Sequence, residues 1–354
     1  MNRPESLYNA TDLVAFSSQL LIKAGMLLPI AEVVAQNLVE ADLMGHDTHG
    51  LQLLPSYLQE LESGTMATSG EPGVINDSGS SFTWNGNYLP GAWLVNKAID
   101  VALERIQDNP VITAVISNSH HIGCLAAYPE RATEKDLIML LSCSDPRTKT
   151  VAPFGGLTAV YGPNPIAMGI PTQSHPIIFD ISTSSTANGY VNRALNEGRN
   201  LPHPWLLTAD GKTTSSPAGF NQQPPSTILP LGGLDSGHKG FALGIMVEAL
   251  TNALGGDGYY KNPTRWSASV FMQIINPSFF GGSEAFKQEM QFFSESCSQS
   301  KPAPGISQVR LPGSRAMALK EEQRKSGLRL YPAIMQQIEP WAHKLQVSLP
   351  SSIK

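Results

Sequence analysis

The spacing of apolar residues changes at residue 91, and this change confines the chain to a mixed fold. Ahead of it, residues 11–64 carry helical stripes. Leu13, Val14, Phe16, Leu20 and Leu21 share one face, which Gly25 ends. Pro29 suits a first helical turn, and Val33, Val34, Leu38, Ala41 and Leu43 run on to Gly45. A third helix is expected through Leu51, Leu54, Tyr57, Leu58 and Leu61 as far as Gly64, followed over 65–90 by loops with one strand around residues 82–84. Beyond residue 91 a helix at 92–107 gives way to a buried strand at 111–117, a helix at 125–135 and a strand at 137–144. Strands at 176–181 and 268–275, a hairpin turn at Asp210-Gly211, and helices at 241–253, 282–300, 314–326 and 332–344 follow. Strands alternating with helices predict an α/β, or mixed α+β, fold. A length of 354 residues allows two or three domains, or one large domain with an insertion.

The net charge is −5 and no Lys/Arg run occurs, which argues against a nucleic-acid or anionic-membrane partner. No apolar run approaches the roughly 18 residues of a membrane helix. Charged residues make up 15%, below the usual fraction of about 25%, as expected where surface is buried between subunits. The first residues, MNRPESLYNATDL, lack the apolar core of a signal peptide, and Cys124, Cys143 and Cys297 form no CxxC pair. A reducing, cytoplasmic setting is expected. The sequon at Asn9 is then a chance match.

Five of the eight histidines fall in three glycine-containing motifs: GHDTHG (45–50), SNSHHIG (117–123) and GHKG (237–240). Histidine is the acid/base group nearest neutrality, so their concentration predicts one composite site. His46 and His49 lie three apart where the second helix stops. A metal would need further ligands from Asp42, Asp47, His120 or His121, and no HExxH or cysteine cluster supports one. Capping and packing of a helix end is the plainer alternative. The second motif follows a strand and opens the helix expected at 125, a favourable place for an anion. Asp180 begins DISTSSTANG, whose hydroxyls suit either an anion, a ribose or the cap of the next helix. LGGLDSGHKG fails as a phosphate loop because His238 stands at the lysine position and no Ser/Thr follows Lys239. Lys239 could still meet a phosphate as a point charge. GxGxxG after a strand and GxSxG are both absent. Composition and spacing alone thus reach an enzyme-like protein with a histidine-rich site.

The motifs GHDTHG (45–50), NSHHIG (118–123), YGPNPIA (161–167), FDISTSSTANG (179–189), GRNLP (198–202) with ADGK (209–212), LPLGG (229–233) with HKGFAL (238–243), and VRLPG (309–313) occur in one order across most of the chain. In that order they resemble the malate/L-lactate dehydrogenase family of the second type, and most of all its hydroxycarboxylate dehydrogenase B members. The resemblance implies a non-Rossmann NAD(P)-binding fold and a homodimeric oxidoreductase that interconverts 2-oxo and 2-hydroxy acids, with NAD or NADP as cofactor. It implies a mainly helical domain from residues 1–85 and 300–354, and a cofactor-binding domain with a mixed sheet from 86–299. His49 takes the role of proton donor, with Thr48 beside it; His121 lies by the nicotinamide and is the base in some members. Gly123, Cys124 and Leu125 line the cofactor, as do Asp180, Ile181, Ser182, Thr183 and Ser184, then His238 and Lys239, then Pro312 and Gly313.

The chain also departs from the family. Many members carry an arginine for the substrate carboxylate where this chain has Leu53, so Arg147, Lys149 or a bulkier, more apolar substrate is expected to compensate. Pro163, beside Asn164, replaces a threonine near the substrate. An aromatic or branched 2-oxo acid is favoured over malate. Two alternatives stay open: a ketimine reductase, although Tyr190 follows Gly189 where some such enzymes have aspartate, and a catalytically silent nucleotide-binding dimer.

Overall fold

A computed structural model describes residues 6–353; the extreme ends of the expected helical domain, residues 1–5 and 354, lie outside the described residues. The N-terminal third contains β1 (Leu7–Tyr8), α1 (Ala10–Lys23), α2 (Leu28–Leu43), α3 (Leu54–Glu62), β2 (Gly73–Asp77), β3 (Ser81–Asn85), α4 (Gly91–Arg105) and β4 (Val111–Ser119). The middle holds α5 (Glu130–Thr133), β5 (Ile138–Ser144), β6 (Ile166–Ile170), β7 (Ile177–Ile181), α6 (Asn188–Asn196), β8 (Leu206–Leu207), β9 (Thr213–Thr214) and β10 (Thr227–Ile228). Then come α7 (Gly233–Glu248), β11 (Ala268–Ile275), α8 (Ser283–Ser298), α9 (Ser314–Ser326), β12 (Leu328–Arg329), α10 (Pro332–Leu345) and β13 (Ser352–Ile353).

Seven strands form one mixed sheet in the order β2-β3-β4-β11-β5-β6-β7. Only β3 and β4 are parallel neighbours, joined by α4, and β11 inserts antiparallel between β4 and β5. The mixed α/β class expected from the alternation is therefore observed. Ala92, Val95, Ala98, Ile99 and Ala102 recur at helical spacing on the buried face of α4. One apolar core joins them to α1, α2, α3, α10 and the sheet. Each fully buried leucine or isoleucine in it contributes about 1.5–3 kcal/mol. Near the chain ends β1 pairs with both β12 and β13, so the first helices and the last share one layer. A smaller apolar cluster of Val151, Tyr161, Val191, Leu206, Phe220 and Ile228 builds a lobe around β8, β9 and β10. Among the described residues no helix is long and apolar enough to cross a membrane.

Several local expectations are corrected. Residues 125–135 form a 3-10 turn at Leu125–Ala127 and the four-residue α5, because Pro129 supplies no N–H to continue a helix. The second histidine motif consequently does not open a helix. The segment 65–90 contains two strands, since β2 is an exposed edge whose Gly, Asn and Asp give no alternation. β6 is short and sits among prolines, and it too escaped the pattern. The glycine-rich segment before residue 241 is already helical: α7 begins at Gly233, with a kink at Ser236, and Gly237 and Gly240 are buried. The sequon residue Asn9 caps α1, its side chain accepting from the N–H of Thr11 and of Asp12.

Candidate active site

The first histidine motif is held by the end of α2. Asp42, in its last turn, is buried and accepts the N–H of Leu51 at 2.7 Å. Burial pushes its carboxyl well above the ordinary range, although that N–H opposes the shift. A Cβ on Gly50 would lie 2.2 Å from Asp42 Oδ1, so only glycine lets the chain turn back over this carboxyl. Between them, Asp47–His49 form a 3-10 turn that projects the histidine. Thr48 Oγ1 is 3.0 Å from His49 Nδ1.

The second motif comes to meet it from the end of β4. The His49 and His121 rings stand 6.0 Å apart and nearly parallel, at 23°. The Tyr57 hydroxyl, from α3, is 2.8 Å from His121 Nδ1, and the N–H of Gly123 donates to the same nitrogen at 3.3 Å. Tyr57 is pushed far above its ordinary value by burial, so its hydroxyl keeps its proton and can donate. With Nδ1 accepting both bonds, the proton of neutral His121 belongs on Nε2. Trp266, just ahead of β11, packs between His120 at 4.9 Å and His121 at 5.0 Å. His120 is fully buried, with Nε2 3.4 Å from Glu60.

Burial lowers the pKa of all three histidines. His49 falls below its ordinary value, with Asp180 pulling the other way and His46 adding to the fall. His121 falls well below, helped by His49 and His120. His120 falls to about 4 despite its bond to Glu60.

The His49 and His121 rings face a cavity of about 800 Å³, within the range of small-molecule sites. It lies where the main core meets the smaller lobe. Thr48, His49, Leu53, His121, Gly123, Leu125, Pro163, Asn164, Asp180 and Ser182 all line it, so segments far apart in sequence converge there. A cleft of about 470 Å³ adjoins it, sharing Gly45, His46 and Asp180, and is lined by Ile181, Pro312 and Gly313.

Other expected residues fall outside the walls. Cys124 is buried behind, its Sγ 3.7 Å from Asp180 Oδ2. Thr183 and Ser184 are buried, and their hydroxyls donate to the carbonyls of Pro163 and Thr186. They brace the wall instead of facing the cavity. His238 and Lys239 lie on the exposed face of α7, where His238 packs on Phe154 at 5.7 Å; within one chain they border neither space. Gly313 lines the cleft, but its identity follows from packing: a Cβ there would sit 1.6 Å from the carbonyl oxygen of Ile178.

Sequence reasoning passed over Trp205, Trp266 and Arg193, and noted Tyr190 only as the residue after Gly189. Tyr190, Trp205 and Trp266 add an aromatic surface to Leu53. Arg193 binds Asp47 at 2.7 Å and Glu197 at 3.0 Å and stacks on Tyr331 at 4.2 Å. No spacing rule links these positions; they meet only in the fold. The Oδ1 atoms of Asn164 and Asn188 are buried without a hydrogen-bond partner among the described residues. Both residues line the cavity, but these oxygens have almost no accessible surface, so a donor reaches them only if the side chains turn.

The sequence profile of the malate/L-lactate dehydrogenase family matches residues 8–339. The L-lactate dehydrogenase of Cupriavidus necator is 30% identical over 331 residues, covering 91% of this chain and 93% of that protein. Hydroxycarboxylate dehydrogenase B of Escherichia coli K12 is 27% identical, over 85% of this chain and 83% of its own. Among solved structures, malate dehydrogenase from Pyrococcus horikoshii OT3 superposes with a TM-score of 0.88 at 25% identity, covering 98% of both chains.

Proposed function

The chain belongs to the malate/L-lactate dehydrogenase family, whose named relatives are dehydrogenases of hydroxy acids, and we propose that it interconverts 2-oxo and 2-hydroxy acids bearing a bulky or aromatic side chain. The observation that carries this reading is the His49–His121 pair facing a cavity walled by Leu53, Tyr190, Trp205 and Trp266. Malate would place a second carboxylate against that apolar wall, at a desolvation cost.

A nicotinamide cofactor, NAD or NADP, supplies or accepts the hydride when bound. Gly123, Leu125, Asp180 and Ser182 would hold it in the cavity, and Ile181, Pro312 and Gly313 in the adjoining cleft. His49 moves the proton. In reduction, charge grows on the substrate oxygen, and the Nε2–H of a His49 imidazolium neutralises it. Thr48 serves both states, because its hydroxyl accepts from Nδ1–H of the imidazolium and from the same Nδ1–H that the neutral ring keeps once Nε2 has given up its proton. His121 is placed differently. With Nδ1 engaged by Tyr57 and Gly123, its Nε2–H can hold an oxygen without giving up a proton.

The lowered pKa of His49 sets the pH dependence. Reduction needs the imidazolium, so its kcat/KM is expected to fall as pH rises through a value below the ordinary one of about 6.5. Oxidation needs the neutral ring, which predominates at pH 7, so its profile is expected to be flat from there upward. A reduction limb that stays level to pH 8 would remove His49 as the titrating acid.

The direct test is a panel of 2-oxo acids run with NADH and with NADPH. Turnover of phenylpyruvate-like acids above oxaloacetate and pyruvate is expected; the reverse order would overturn the substrate class. Rates that appear only on adding an amine would mark an imine reductase instead. We also propose a homodimer, because Leu234, Ile245, Met246 and Leu254 leave one side of α7 and the turn after it apolar and exposed. Sedimentation at micromolar concentration is expected to give twice the 38.1 kDa chain mass, and a monomer there would refute it.

A further inference from the structure

We infer that Arg147 is the carboxylate anchor of this cavity, the residue that reads the acid group of the 2-oxo acids proposed above. The inference rests on that reading of the reaction. Two arginines line the cavity, Arg147 and Arg193. Arg193 is already compensated by Asp47 and Glu197 and stacked on Tyr331. The catalytic pair is neutral near pH 7, since burial lowers both His49 and His121. A carboxylate entering the cavity therefore meets a single arginine that forms no ion pair among the described residues, and that arginine is Arg147.

The turn after β5 explains why this guanidinium is left over. Asp145, two residues earlier, is its nearest potential partner in sequence. Its Oδ1 accepts the backbone N–H of Arg147 at 2.9 Å, and its Oδ2 accepts the Thr148 hydroxyl at 2.5 Å. The carboxylate thus fixes the turn and forms no ion pair with the side chain, whose charge still pulls the Asp145 carboxyl down against its burial. The position is also apt. The ends of β4 and β5 flank β11, with Ser119 paired to Ala268 and Ser144 to Ser269, so the turn that carries Arg147 leaves the sheet beside the strand end that carries His121. Arg147 therefore stands toward the histidine end of the cavity. A 2-oxo acid has its carbonyl carbon bonded directly to the carboxylate, so holding one near Arg147 brings the other toward His49 and His121.

The chemistry favours arginine for this task. A guanidinium offers two parallel N–H donors that match a carboxylate, and so fixes orientation as well as position. Arg147 is exposed, so pairing costs side-chain ordering but buries no uncompensated charge. Leu53, which also lines the cavity, offers only an apolar surface, so charge and apolar contact come from different residues.

The test uses the full-length Arg147→Met and Arg147→Lys variants with the best 2-oxo acid of the wild-type panel and with the corresponding 2-oxo amide. Arg147→Met is expected to raise KM for the acid by about 10- to 100-fold, with kcat changed less. KM for the amide and for the cofactor should change by no more than about twofold, because neither interaction uses the pair. Arg147→Lys should recover part of the loss, as a point charge without the fork. Unchanged KM for the acid in Arg147→Met, with the wild type active, would overturn the anchor alone. A rise confined to cofactor KM would overturn it too, reassigning Arg147 to a phosphate. Wild-type protein inert to every 2-oxo acid would overturn the reaction and the anchor together. The melting temperature should match that of the wild type, since the side chain is exposed and packs in neither apolar cluster.

Discussion

His49→Ala is expected to lower kcat for 2-oxo acid reduction by about 10²–10⁴-fold, the usual worth of a positioned acid/base group. KM for NADH or NADPH should stay within a few-fold of the wild type. The asymmetry follows from the geometry. His49 stands on a short turn, joined to Thr48 at Nδ1 and facing the cavity, while the residues proposed for the cofactor come from other segments. Removing the ring takes away the proton and leaves those segments in place. His49→Gln is the useful companion, because an amide donor can bond an oxygen but cannot transfer a proton to it. If glutamine restored most of the rate, the ring would act by binding and not as an acid. Stopped-flow reduction with a saturating cofactor separates the chemical step from product release, and near wild-type single-turnover rates in His49→Ala would remove the residue from the mechanism. His121 provides the internal contrast. Its Nδ1 is occupied by Tyr57 and Gly123, so its loss should weaken substrate binding more than it changes the pH profile.

How much of this was legible in the sequence differs from one element to the next. α1 and α2 were readable because their buried residues repeat at helical spacing and a glycine ends each run. For the same reason the first histidine motif could be placed at the end of a helix. The meeting of His49 with His121 was suggested only by the clustering of histidines in glycine-bearing motifs, and the family resemblance gave them roles. Tyr57 read as one more residue on an apolar helical face, although its hydroxyl sets the proton of His121. Trp266 and Arg193 carry no local signal at all, since they reach the cavity through β11 and α6. The hydroxyl-rich segment misled in part. All three hydroxyls of Ser182, Thr183 and Ser184 donate to backbone carbonyls, and only Ser182 also lines the cavity. The glycines before residue 241 looked like a loop because glycine weakens a helix. Tertiary packing overrode that propensity, with Gly237 buried against Phe154 and Gly240 against the Leu231 backbone.

The second large effect concerns a residue with no sequence signature. Lys320, on α9, is only 2% exposed, and its ammonium is shared by Glu40 of α2 and Glu130 of α5. One turn on, Gln323 donates to the carbonyls of Asp42 and Leu43, the last turn of α2. This clasp joins the helix that presents His49, the segment that follows His121, and the helix that follows Gly313. Lys320→Met should remove the shared cation and leave two carboxylates, 17% and 28% exposed, with only the half-exposed Arg324 beside Glu40. A broken buried ion pair costs about 3–5 kcal/mol, and the shared cation places this change in that range. The expected result is a lower denaturation midpoint with an unchanged slope, read by urea unfolding. The triple variant Lys320→Met, Glu40→Gln, Glu130→Gln should regain much of the loss, because it removes the stranded charges along with their partner. Arg324, which also meets Glu40, is more than half exposed and adds little to either balance. A triple variant no more stable than Lys320→Met would mean that the lysine acts through packing of its stem. An unchanged midpoint in Lys320→Met would mean that the clasp does not hold these elements together. Under the electrostatic reading, activity at temperatures well below the transition should survive in the triple variant, since none of the three side chains lines the cavity.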